Sequence, residues 1–410
     1  MRTLITIVII LAVAVAGAAV YLIATTPDRG GQVVFPLSRS HRELLAHVPA
    51  SAEAFAVIPS AAVLHGKLLA NPVTSEPLLQ WSHEHEMPRP WMLGAADVAA
   101  WKSGKRTSYA VRLDGIRALL VRTWLLAASN ADWRWEGSTL IMHEPQRTAD
   151  FAPATIVVDG LAPLLAGLPS GDVFVVQTSE TRGAFPPIAR PAVSSIRVTS
   201  SDIVFVSRAM RDEPEATPAR AVTPRFPAGA LLAATFASPP RILGDINRLL
   251  GAKIDALVDE GGAVALYDVD TGTLLPRPKG VIVLPADEHA REQMRDVARV
   301  AELVGETRDT GDSLLVSFDR TSMGLYTKDT FVPGTWPATR WALRIDPDRL
   351  IPVLRRLGDS TGLRFVSPRL YRAARDLRRW IDALQHAAAV EAADSASGAV
   401  EELHVRVASK

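Results

Sequence analysis

Two tripeptides have residue types that could do acid–base chemistry. Asp270-Thr271-Gly272 and Asp309-Thr310-Gly311 each spell the sequence that carries a catalytic aspartate in hydrolases whose two carboxylates share one proton. Val269 before the first and Thr273 after it complete the usual surroundings. A duplicated enzyme of that kind has one aspartate per domain, whereas both of these fall in the same half of the chain. Aligned on the glycine, their counterparts in the other half are Lys102-Ser103-Gly104 and Trp135-Glu136-Gly137. A glycine kept while its neighbours vary is what a hairpin turn needs, because only glycine enters positive φ without a Cβ penalty. The tripeptides read as turns, and no catalytic residue is assigned.

Metal chemistry has little to stand on. In His83-Glu84-His85-Glu86 the two imidazoles would share a side of an extended segment, but no third ligand stands at a recognised spacing and His-Glu-x-x-His is absent. Asp268-Val269-Asp270 with Gly272 opens like a calcium loop, yet the glycine comes one residue early and Lys279 stands where the bidentate acid belongs. The chain has no cysteine, which removes thiolate nucleophiles, disulfides, cysteine zinc sites and the usual iron–sulfur ligation. Neither Gly-x-Ser-x-Gly nor Ser-x-x-Lys occurs. No metal or cofactor is expected.

Binding residues are better represented. Six of the nine tryptophans lie between Trp81 and Trp135, in the first half only. Trp81, Trp91, Trp133 and Trp135 are the candidates, the last two sharing a strand face; such rings stack on sugars or anchor a partner, and core packing is the competing reading. Arg369, Arg372, Arg375, Arg378 and Arg379 give a helix a basic face that suits solvent or anionic lipid.

The elements that must position these residues recur. Val48-Pro49-Ala50-Ser51-Ala52 answers to Phe226-Pro227-Ala228-Gly229-Ala230, each followed by an apolar strand (54–58 and 231–236) and a helix-capping serine, Ser60 and Ser238, all displaced by 178 positions. Gly137-Ser138-Thr139-Leu140 answers to Gly311-Asp312-Ser313-Leu314, and Pro153-Ala154-Thr155 to Pro337-Ala338-Thr339. The last pair is read as leading into strands, Ile156 to Val158 and Trp341 to Ile345, then an aspartate and a helix. Helical spacing marks 287–304 and 370–384, and turn residues between Ile196-Arg197-Val198 and Ile203–Val206 mark a hairpin. The predicted fold is α+β: an N-terminal transmembrane helix, then two tandem homologous domains of mixed, largely antiparallel sheet with helices. The boundaries are 1–26 anchor, 27–47 linker, 48–210 first repeat domain, 211–225 linker and 226–410 second repeat domain.

The anchor follows from hydropathy. Leu4 to Ala24 carries no charge, enough to cross about 30 Å of hydrocarbon as a helix, and the apolar run continues past the small-residue site Ala16-Gly17-Ala18 where an export signal would be cut. Arg2 holds the start in the cytoplasm and sends the remainder across. With 45 basic and 44 acidic side chains there is no cationic field for nucleic acid. The single span, followed by Val48-Pro49-Ala50-Ser51 opening a strand–helix unit that returns at Phe226-Pro227-Ala228, resembles uncharacterised single-span bacterial envelope proteins of the domain-of-unknown-function type. That resemblance implies an inner-membrane protein with its bulk in the periplasm and brings no catalytic residues with it. The expected function is a membrane-anchored periplasmic binding or scaffolding protein, non-catalytic, whose partners are the membrane and an envelope protein. An envelope hydrolase sited between the domains, using Asp270 or His83 and His85, is the alternative, and lipid or glycan binding the second.

Overall fold

The computed structural model describes residues 32–84, 96–104, 106–113, 115–128, 133–142, 152–178, 191–210, 221–237, 261–271, 277–285, 305–317, 319–337, 339–358, 381–397 and 399–410. The expected anchor at 1–26, the Ser238 cap with the helix behind it, and the helix at 287–304 lie outside these residues, as does 370–380. No helix among the described residues is long and apolar enough to cross a membrane. The chain is mixed α+β, mostly β, with antiparallel sheet. It divides into two compact units: residues up to 71, 75–200 and 205–210 form the first, and 72–74, 201–204 and 211–410 the second.

Unit 1 contains β1 (Ala54–Ile58), β2 (Val98–Ser103), β3 (Arg106–Arg112), β4 (Trp133–Glu136), β5 (Thr139–Met142), β6 (Val173–Gln177), β7 (Ala192–Val198) and β8 (Asp202–Met210) in the order β4-β5-β3-β2-β1-β6-β7-β8. Its helices are α1 (Arg39–Leu45), α2 (Ala61–Ala70), α3 (Pro72–Glu84), α4 (Gly115–Ala128), α5 (Thr155–Gly160) and α6 (Ala162–Leu165). Phe55 and Val57 alternate inward along β1, the pattern of a strand with one face in a core. The Ser60 hydroxyl then accepts the Val63 N–H and starts α2. Val121 and Leu125, four apart on α4, fill a core with Val98, Val111, Leu140 and Met142 of the sheet.

Unit 2 contains β9 (Arg225–Pro227), β10 (Leu232–Phe236), β11 (Gly262–Asp270), β12 (Arg277–Pro285), β13 (Glu306–Asp309), β14 (Ser313–Ser317), β15 (Phe331–Pro333), β16 (Trp341–Ile345), β17 (Ala387–Ser397) and β18 (Val400–Ser409), with α7 (Arg320–Lys328), α8 (Pro347–Gly358) and α9 (Ile381–Leu384). β9 and β15 form a two-stranded ribbon. The others run in the order β13-β14-β12-β11-β10-β16-β17-β18, which repeats the order of unit 1 strand for strand.

Register repeats as well as order. A displacement of 178 carries Ala54–Ile58 onto Leu232–Phe236, and the neighbours on both sides follow: Ile58 pairs with Val98 as Phe236 pairs with Gly262, and Ala54 with Gln177 as Leu232 with Ile345. Further out, Gln177 pairs with Ala192 as Ile345 pairs with Val390, and Trp133 with Met142 as Thr307 with Val316. Even the isolated bridge Val33–Gly171 has its match in Val222–Thr339. A one-residue slip would exchange the two faces of a strand, so agreement of register is a stricter likeness than agreement of order.

One expected strand is a helix. Ile156–Val158 lies in α5; Val158 and Ala154, the residue just before the helix, are buried four apart, and Ile156 is 62% exposed. β-Branched residues disfavour a helix by only tenths of a kcal/mol, and one-sided packing outweighs that. The strand that corresponds to β16 in register is β6, not 156–158. Within 27–47, read as linker, Val33 joins Gly171 and α1 forms behind its Ser38 cap; Val222, read with the second linker, already joins Thr339.

Candidate functional site

The two aspartates of the tripeptides stand at opposite ends of the unit 2 sheet. Asp309 lies across from Leu314, which lies across from Leu284, beside the Val283–Ala263 pair; Asp270 is seven residues further along β11 from Ala263. At about 3.3 Å per residue they are on the order of 20 Å apart, too far to share a proton. The exposed Asp309 carboxylate accepts the Gly311 N–H at 2.8 Å, and the Thr310 hydroxyl and amide bond to Ser313. Gly311 has φ 88°, and Gly104 and Gly137 close their own hairpins at φ 62° and 59°. Gly272 lies outside the described residues.

Trp133 and Trp135 project from one side of β4 and pack, with Trp124 of α4, on the unit 1 core. The Arg122 guanidinium sits 4.4 Å from the centre of the Trp135 ring, a cation over its negative face. Trp81 belongs to α3, whose side chains beyond residue 79 lie outside the described residues. Trp91 and His85 lie outside them altogether, so the His83/His85 pair has no geometry to report. Among the described residues no three acidic or histidine side chains are grouped to hold a metal ion.

Sequence reading missed a polar row on unit 2. Arg344, Glu391 and Arg406 lie side by side on β16, β17 and β18. Glu391 is 5% exposed; its Oε1 accepts from Arg344 Nη1 at 2.5 Å, and its Oε2 accepts the Thr335 N–H at 3.1 Å and also the Thr335 hydroxyl. Arg406 donates to the same hydroxyl at 3.3 Å. Trp336 stacks tilted on His404, ring centres 5.3 Å apart, and His404 faces Glu402 at 2.7 Å. A shallow depression lies alongside, lined by Pro224, Phe226, Gly334, Trp336 and Leu343 among others. Three donors of the chain itself reach the Glu391 carboxylate, which acts as a clamp that fixes residues 334–336 on the sheet. The register-equivalent positions in unit 1 are Val176 for Arg344 and Val193 for Glu391, beside Phe174, on which Phe35 packs edge-on at 4.7 Å. The only sequence signal was a single glutamate in an alanine-rich run.

A second cluster holds the β9–β10 turn. Both Asp329 oxygens accept the Gly229 N–H, at 3.1 and 2.9 Å, and the Tyr267 hydroxyl donates to Asp329 Oδ2 at 3.2 Å. A Cβ on Gly229 would stand 2.7 Å from that carboxylate, which explains the glycine. Burial and then the Asp329 charge raise the Tyr267 hydroxyl far above its ordinary range. The unfolded chain therefore loses this proton from about pH 10 while the folded chain keeps it, and stability falls as pH rises above 10. Tyr267→Phe should flatten that alkaline loss, leaving its thermal midpoint less sensitive than the parent between pH 9.5 and 11. Parallel slopes for the two proteins would contradict the assignment.

No protein-family model, curated protein or solved structure matches the chain.

Proposed function

We propose that the chain is a membrane-anchored periplasmic protein of the cell envelope that binds or scaffolds a partner and does no catalysis, built from a duplicated α+β domain. The carrying observation is that strand order and register recur through both units while the side chains at matching positions change kind, as from Val176 and Val193 to Arg344 and Glu391. A backbone frame kept while its surfaces diverge fits a pair of binding modules. The separation of Asp270 and Asp309 removes the hydrolase dyad that was the sharpest competing motif. Trp133 and Trp135, with Arg122, supply an aromatic and cationic edge of the sort that anchors a partner.

The two readings part in a complementation assay in cells lacking the gene. Asp270→Ala should restore the parental phenotype fully, whereas Trp133→Ala combined with Arg122→Ala should not, although it still unfolds in a single cooperative transition, with a midpoint lowered on the order of 10 °C. Full rescue by the tryptophan variant together with failure of Asp270→Ala would replace the binding reading with the hydrolytic one.

A further inference from the structure

The ten residues from Gly160 to Pro169 carry no polar side chain, yet they lie at the surface of unit 1. Leu164 and Leu168 turn inward and are buried, while Ala162, Pro163, Ala166 and Pro169 are exposed. Arg208 donates to the carbonyls of Leu164, at 3.1 Å, and of Ala166, so the backbone of this stretch is held in place with Ala162, Pro163, Ala166 and Pro169 outward. The position that corresponds in register in unit 2, residues 328–337, exposes Lys328, Thr330 and Thr335 among its apolar Phe331, Pro333 and Pro337. A stretch without any polar side chain on unit 1, where the matching stretch of unit 2 is interrupted by polar ones, points to an apolar partner for unit 1.

The path of the chain identifies that partner. Immediately after Pro169, the Ser170 hydroxyl bonds Gln32 Oε1 at 2.9 Å and Gly171 pairs with Val33; Val34 follows, 59% exposed. The apolar stretch therefore adjoins the point where the chain arrives from its amino-terminal segment. From Ala24, the last residue of the uncharged run, to Gln32 is eight steps. Eight residues reach about 28 Å at full extension and roughly 16 Å on average as a flexible chain. A unit of this size is roughly 40 Å across. Whatever shape residues 25–31 take, they are shorter than the unit they hold, and the surface around Gln32 stays near the bilayer at an effective concentration of order millimolar.

We infer that Gly160–Pro169, together with Val34, rests on the outer surface of the lipid bilayer crossed by residues 4–24. The inference relies on the anchored reading above and adds which face of unit 1 meets the lipid. The Arg208 guanidinium, the charge nearest the stretch, is turned onto its backbone carbonyls, and Arg42 pairs with Asp159, so the contact uses apolar burial and needs no anionic headgroup.

The absence of cysteine makes the test clean, since a single introduced thiol is the only one to label. The full chain is reconstituted in phosphatidylcholine vesicles that carry a nitroxide lipid, with a fluorophore at Pro163→Cys or at Thr107→Cys. Thr107 is exposed and pairs with Lys102, at the strand ends opposite those beside Gly171. Quenching at position 163 should exceed that at 107 at least threefold and persist in 1 M salt. Ala162→Asp with Ala166→Asp should abolish the difference without moving the thermal midpoint. Equal quenching at both positions, in protein that floats with the vesicles, would overturn the inference while leaving the anchor intact. Protein that does not float would overturn the anchor itself, a failure read from flotation before any fluorescence is measured.

Discussion

Arg340→Met should destabilise unit 2 by about 3–5 kcal/mol, because it strips a buried carboxylate of its cation. The Arg340 guanidinium lies between Asp394 and Glu401, and its backbone N–H donates to the Asp394 carbonyl at 2.7 Å. Asp394 is 4% exposed, whereas the Glu401 side chain reaches solvent and can rehydrate. The nearby carboxylates hold the arginine above its ordinary range against the opposing effect of burial. A thermal melt should show the loss as a fall in midpoint on the order of 10 °C. Adding Asp394→Leu should restore most of it, since removing both charges also removes the desolvation penalty. If the double variant is no better than the single one, the damage lies in packing and the account of the pair is wrong.

Asp172→Ala should be the most damaging single polar change in unit 1, at about 2–4 kcal/mol. Asp172 is 2% exposed and takes two donors, Lys67 Nζ at 2.7 Å and the Val198 N–H at 2.8 Å. It ties the last turn of α2 to β6 and β7, and Asn71, wholly buried one turn later, repeats the tie by donating to the Thr199 carbonyl at 2.8 Å. Truncation leaves the Val198 amide buried without an acceptor, while Lys67, at 30% exposure, turns to water. Asp172→Asn keeps one acceptor and should cost about half as much. Equal urea midpoints for the alanine variant and the parent would contradict this.

What the sequence could disclose depended on how local its causes were. β1 and β10 were legible because their apolar residues lie within a few positions of each other, and after β1 the capping Ser60 adds a second local signal. The hairpin glycines were legible because positive φ excludes most other residues wherever it occurs. β17 was not: Ala387–Ala393 is alanine-rich and favours helix in isolation. It is a strand because small side chains are needed there, Ala233, Ala265, Ala342 and Ala393 packing in one core with Phe226 and, at its edge, Trp336. The clamp on Glu391 was hidden for a related reason, its donors Thr335 and Arg344 lying 56 and 47 positions away. The proposed lipid-facing stretch escaped notice because its apolar residues look like a core helix until the structure shows which of them are exposed.

The claim that holds the rest together is that residues 1–26 keep the chain in a membrane with the two units beyond it. A phosphatase reporter that matures only outside the cytoplasm, fused after Lys410, tests it most directly when combined with alkaline extraction of the membranes. The account predicts an active reporter that stays in the membrane pellet at full chain length. A reporter inactive in the cytoplasm would contradict the topology, and an active one released as a soluble chain beginning near Ala19 would show that the segment is removed and the units are untethered.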